Sequence, residues 1–189
     1  MKKLTLLLLT LVAVSLPQFA KAQAQEYDIK KVDVEFVLTP EYSVNPRAKQ
    51  VRSQKWMQVE VTFDAKPDFT EELVFNYYIY FNKRLFVGRV NHVSIQKGRD
   101  LHSVAYISPK SIANILEGKV LTPSALENVA VTITKPGISA PLARKDWKPS
   151  VGEWWATMKA EEGFVVDKRE TPFAPLSWDY YEALKPLNR

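Results

Sequence analysis

The longest apolar pattern in the chain runs from Leu73 to Ile95. Two runs rich in β-branched and aromatic residues, 73–81 and 85–95, flank the polar triplet Asn82-Lys83-Arg84. That pattern predicts a β-hairpin. With a two-residue loop at Asn82-Lys83, Phe81 pairs with Arg84, Ile79 with Phe86, Tyr77 with Gly88 and Phe75 with Val90. Phe75, Tyr77, Ile79, Phe86 and Val90 then share one face. The other face carries Val74, Tyr78, Tyr80, Leu85 and Val87, with Asn76 and Arg89. Tyr77 lies over Gly88, a pairing that offsets the weakness of a strand glycine. A three-residue loop would turn one strand over.

Shorter patterns surround the hairpin. Residues 32–38 alternate, with Val32, Val34, Phe36 and Leu38 inward, after a loose polar lead-in over 23–31. Residues 57–63 alternate most cleanly: Met57, Val59, Val61 and Phe63 face a core, and Gln58, Glu60 and Thr62 face water. One wet face points to an antiparallel sheet. Turns are expected at 64–70, with Pro67, and at 96–100. Strands are expected over 101–107, 129–134, 152–158 and 163–167. Ser108-Pro109 opens a short helix with Ile112, Ile115 and Leu116 on one stripe, closed at Gly118. A second helix is expected near the end, capped by Ser177 and stopped by Pro186. Seven or eight strands with these short helices predict a mainly β fold, an immunoglobulin-like antiparallel β-sandwich. A barrel of the same strands is the alternative.

The first 22 residues stand apart. Lys2 and Lys3 precede an apolar run over 4–16, and Ala20-Lys21-Ala22 supplies a small-x-small cleavage site. This reads as a secretory signal peptide, too short for a stable span, with cleavage after Ala22 or, two residues on, after Ala24. The leader takes three of the 26 basic residues with it. Against 21 acids the mature chain then carries +2, so the basic balance belongs mostly to the leader. Net charge gives no support for nucleic-acid binding. Residues 23–189 suit a single domain with an aromatic-rich C-terminal extension from about 136 to 189. The chain has no cysteine, which removes thiol chemistry, cysteine metal ligands and a lipid-bearing cysteine from consideration. The expected location is the periplasm, or the cell surface by association.

Candidate chemistry is sparse, and neither catalytic nor metal residues are assigned. His92 and His102, with Asp100, could form a metal pair, but no third ligand has a distinctive spacing; polar strand positions explain them as well. Glu71-Glu72 and Glu161-Glu162 are paired acids in polar surroundings, and a glycosidase would need two such carboxylates across a cleft. No nucleophile elbow, phosphate loop or dinucleotide fingerprint occurs. No cofactor is expected and the chain is not read as an enzyme.

Two signals point to binding. Four of five tryptophans (Trp147, Trp154, Trp155, Trp178) fall late, beside Phe173, Tyr180 and Tyr181. Such rings either seal the edge of a sandwich or stack on sugars. If 152–158 is a strand, one of Trp154 and Trp155 points outward. The second signal is the outer hairpin face: Tyr78, Tyr80, Leu85 and Val87 make an interface-sized patch unless the tail covers it. The candidate interface is therefore Tyr78, Tyr80, Leu85, Val87, Trp154 and Trp155. The basic loop bearing Arg47, Lys49, Arg52 and Lys55 is either plain solvated chain or a contact for a glycan or an acidic partner.

Residues 32–40, the hairpin 75–90 and the tail 172–186 (Pro-Phe-Ala-Pro-Leu-Ser-Trp-Asp-Tyr-Tyr-Glu-Ala-Leu-Lys-Pro) together resemble a family of pilus-like exported proteins from mucus-dwelling Verrucomicrobia. Members of that family have an immunoglobulin-like fold and are encoded beside a type IV pilus-like system. The resemblance implies a non-catalytic role in adhesion, assembly or signalling to a host. It implies protein partners in a pilus-like or envelope assembly, and no residue roles. An ordinary type IV pilin keeps its apolar N-terminal helix. Here the leader lacks a Gly-Phe-type site and the acid after it, so cleavage at Ala22 discards the apolar run and the chain is not expected to polymerise. The alternative function is a carbohydrate-binding domain that uses the late tryptophans.

Overall fold

The computed structural model describes residues 25–41 and 53–186. In it the central hairpin turns at Asn82 and Lys83, both with positive φ (49° and 61°). That is the mirror-image turn whose twist suits a two-residue hairpin. Asn82 Nδ2 also donates to the Ile115 carbonyl at 2.7 Å, which ties the hairpin tip to the helix above it. The pairs Phe81–Arg84, Ile79–Phe86, Tyr77–Gly88 and Phe75–Val90 all form as the alternation predicts. Phe75, Tyr77, Ile79, Phe86 and Val90 are buried in the main core.

The hairpin is far longer than its apolar centre. Strand β2 spans Lys55–Phe81 and β3 spans Arg84–Ile107, so the sequence at 64–70 and 96–100 bends the strands instead of ending them. The β2–β3 register shifts between Phe63 and Ala65 and again between Ala65 and Phe69, around Pro67. A bulge is where a strand tolerates a residue without an N–H. Across the bend, Ser94 and Asp100 adopt positive φ, and the Asp100 amide donates to Asp64 Oδ1.

The bend folds one seven-stranded sheet into two layers. One layer holds β1 (Tyr27–Leu38), the first half of β2, the second half of β3 and the short β7 (Val165–Asp167). The other holds β5 (Ala143–Asp146), β4 (Leu126–Thr134), the second half of β2, the first half of β3 and β6 (Ala160–Glu161). All pairings are antiparallel except the two-residue β3–β6 pair, Leu85–Ala160 and Phe86–Glu161. The inward faces meet in one core, with Phe63 and Phe75 4.9 Å apart edge to face. The mainly β fold read from the sequence is thus the observed one, built as a single seven-stranded sheet whose two layers are continuous. Helix α1 (Pro109–Leu116) closes one end. Ser108 accepts from the Ser111 amide, and Ile112, Ile115 and Leu116 are buried.

Several local expectations are corrected. The lead-in is ordered from Tyr27, whose buried hydroxyl bonds Thr70 at 2.7 Å across the bend. Leu38 does not point into the core; it is exposed at the end of β1. Residues 152–158 form turns, not a strand, so the in-and-out argument for Trp154 and Trp155 does not apply. The stretch 143–146, which lacks periodicity, pairs with β4. The C-terminal helix does not form: 177–181 is a turn with Ser177 at φ 47°, and Leu184 bridges His92. Gly88 is needed chiefly because β7 crosses it. A Cβ there would lie 2.5 Å from Val165 Cβ.

Candidate functional site

The role of the hairpin's outer face depends on what covers it. Trp155 stacks on Tyr78 with ring centroids 4.5 Å apart and 16° between planes. Trp154 meets Tyr80 at 6.0 Å and Trp155 edge to face at 5.3 Å. The Arg144 guanidinium lies 4.6 Å over the Trp155 ring and is itself held by Asp146 and the Gly152 carbonyl. A cation on an aromatic face, fixed by its own partners, holds that ring in place. Leu85 and Trp155 are buried, while Tyr78, Tyr80, Val87 and Trp154 are half-buried. The structure therefore brings the six interface candidates into one cluster, where they pack on one another. Beside them a cleft of about 460 Å³ opens between Tyr78, Val87, Arg89 and the 160–165 segment.

The other layer is roofed in the same manner. Phe173 stacks on Tyr106 at 4.9 Å with 4° between planes and meets Trp56 edge to face at 5.8 Å. Tyr181 and Val37 join this cluster. The extension after β5 thus supplies one aromatic roof to each layer. Glu60, read as a wet position, lies beneath the second roof. It accepts hydrogen bonds from Tyr180 (3.2 Å) and Tyr181 (2.9 Å). Burial and the Glu60 carboxylate raise the pKa of the Tyr181 hydroxyl far above its ordinary value.

The two histidines do not meet. In the β2–β3 register His92 stands opposite Leu73 and His102 opposite Thr62. His92 is buried. Its Nδ1 donates to the Glu182 carbonyl at 2.9 Å, since a carbonyl can only accept, and its Nε2 accepts from Ser103 at 2.7 Å. Burial pushes its pKa down to about 4. His102 stacks on Tyr180 at 4.0 Å, with Nδ1 3.5 Å from Glu60. Among the described residues no three His, Cys, Asp or Glu side chains converge as a metal site. Glu161 pairs with Arg84, and Glu72 with Lys185 at 2.6 Å. Those cations hold both carboxyls below their ordinary range. Arg47, Lys49 and Arg52 lie outside the described residues; Lys55 is exposed at the start of β2.

The exposed ring of the extension is Trp178, which is 79% accessible and flanked by exposed Leu176 and Tyr180. Its loop is pinned from beneath. Lys168 is buried, and its Nζ donates to the carbonyls of Leu176 and Ser177 while lying 4.8 Å over the Tyr181 ring. Burial lowers the pKa of this amine. Sequence reasoning grouped Trp178 with the packed rings. The available signal was local: Ser177 and Asp179 flank it, and Pro172 and Pro175 precede it, so it has no apolar periodicity to pack on.

Among the described residues, no helix is long and apolar enough to cross a membrane. No curated protein matches the chain significantly. A crystal structure of a protein from Akkermansia muciniphila shares the fold, with a TM-score of 0.72 at 19% identity, over 86% of this chain and 94% of that one. Its source is a Verrucomicrobium, the group that the resemblance named. A protein-family model matches residues 18–187, nearly the full length, and the chain belongs to the family which that model describes.

Proposed function

We propose that the chain is an exported, non-enzymatic module that binds a protein partner in a pilus-like or envelope assembly, with the Trp178 loop as its contact. The observation that carries this reading is an exposed tryptophan, between two further exposed apolar residues, on a loop fixed by a buried lysine. Tryptophan is the side chain most enriched at the energetic centre of protein interfaces. Exposed apolar clusters on a rigid mount are interface features more than surface noise. The hairpin face is the secondary contact. Its rings pack on each other, so a partner there would meet the cluster's edge at the cleft. A carbohydrate reading based on Trp154 and Trp155 gains no support from rings stacked against Tyr78 and Tyr80.

Site-specific photo-crosslinking tests the reading. A benzophenone side chain at position 178 is expected to capture a defined envelope protein in cells, and the same group at exposed Lys119 is not. Absence of an adduct at 178, or the same adducts from both positions, refutes it. Export has its own test. The secreted or periplasmic protein is expected to begin at Gln23 or Gln25, and a mature start inside 4–16 refutes that part of the proposal.

A further inference from the structure

The ground around Trp178 is acidic, and this identifies the chemistry of its partner. Asp33 on β1 stands directly opposite Glu60 on β2, both on the outer face beneath the tail. Like charges at paired positions of an antiparallel sheet destabilise it. Glu60 is bonded by the Tyr180 hydroxyl, and Asp33 lies close enough to act on that same hydroxyl, so both carboxylates sit under the exposed aromatic patch. Glu35 follows two residues along the same face, and Asp179 is the neighbour of Trp178. Lys31, paired with Asp33 at 2.9 Å, lies near this group but is largely solvent-exposed. Lys168, beneath the loop, is buried and bonded to backbone carbonyls, and its charge is felt by Asp179, while Asp33 and Glu60 lie on the Tyr180 side.

Glu60 and Asp33 thus act on the Tyr180 hydroxyl, and Asp179 stands between the two exposed aromatic residues in the chain. From this charge pattern we infer that the Trp178 surface receives a cationic protein segment, with Arg or Lys side chains laid over Trp178 and Tyr180 and paired with Asp33, Glu35 and Asp179. The proposal rests on the reading of Trp178 as a contact and adds the sign of its partner. A cation on an aromatic face gains more when desolvated, and flanking carboxylates supply the remaining partners. An anionic lipid surface or an acidic protein would be repelled by the same carboxylates.

The test uses the full mature chain and two fluorescent, tryptophan-free peptides of equal length, one rich in Arg and Lys and one with Glu at those positions. Binding is read by anisotropy. The cationic peptide is expected to bind saturably and to weaken as salt rises, while the Glu peptide does not bind. Trp178→Ala, and separately Asp33→Asn combined with Asp179→Asn, are each expected to weaken binding at least tenfold. Glu162→Gln, an exposed acid on the other layer, is expected to leave it unchanged. All these positions are at the surface, and unchanged melting curves confirm folding. Equal binding of both peptides, or cationic binding that survives the Trp178 and Asp33/Asp179 changes, overturns the inference. If crosslinking at 178 captures a partner whose contact segment is acidic, the contact reading stands and this inference falls.

Discussion

Acidification is expected to weaken the folded protein through His92, and the structure sets the size and sign of the effect. His92 lies at the middle of a directed hydrogen-bond chain. Because its Nδ1–H is given to the Glu182 carbonyl, its Nε2 must accept from the Ser103 hydroxyl, and Ser103 in turn accepts from Tyr77. A proton on Nε2 would make Ser103 an acceptor there and leave one buried hydroxyl hydrogen, of Ser103 or Tyr77, without a partner. Burial pushes the His92 pKa down to about 4 from an ordinary 6.5. The unfolded chain therefore takes up this proton first as pH falls. Stability from neutral His92 is complete above pH 6.5, declines between 6.5 and 4, and is gone below 4. Linkage gives about 3 kcal/mol in total, of which about 2 kcal/mol is lost between pH 7.5 and 5. Few other groups act in that window. Glu72, Asp64 and Glu161 have lowered pKa values and respond below it. Half-buried Glu182 has a raised pKa and opposes His92. Urea unfolding at pH 7.5 and pH 5, for the native chain and for His92→Gln, isolates the term. The native chain is expected to lose about 2 kcal/mol more than the variant on acidification. An equal loss in both proteins would refute the role given to His92.

Two packing predictions follow from the layers. Gly88→Ala puts a methyl group into Val165, and thermal or urea unfolding is expected to show a loss of about 1–3 kcal/mol. A neutral result would mean that β7 moves away freely. Trp155→Ala removes the ring that contacts both Tyr78 and Arg144, with an expected loss of about 3–5 kcal/mol and increased hydrogen exchange in β5. A near-silent substitution would show that this roof is not part of the folded core.

The sequence made face assignments legible where alternation was strict. Phe75, Tyr77 and Ile79 are buried because period-two patterning leaves them no other face, and the Asn82-Lys83 loop fixes the partner strand through its turn type. It could not tell a bend from a break. Pro67 and Gly98 are breakers by local chemistry, but long paired strands absorb them in bulges. Helix signals at Ser177 also misled. A cap is worth about 1 kcal/mol. In the fold, the Glu60 bonds to Tyr180 and Tyr181, the Lys168 clamp on Leu176 and Ser177, and the His92–Leu184 bridge outcompete it. The Trp178 site depends on those tertiary contacts, which is why no pattern in the tail announced it.

Tyr180 joins the stability of the tail to the proposed contact. Its ring rests on His102, its hydroxyl is fixed on Glu60, and yet almost half its surface faces solvent beside Trp178. A free aromatic loop would have to surrender side-chain and backbone entropy on meeting a partner. Here that ordering is completed during folding, by the stack, the carboxylate and the Lys168 clamp. The cost of binding is therefore reduced to what the partner itself must order. The same bracing makes the patch sensitive to its underside. Removing Glu60 would release two tyrosine hydroxyls from the sheet and loosen Trp178 without touching it. The carboxylate beneath the tail is thus at once a source of the negative charge under Tyr180 and the anchor that holds both tyrosines in position.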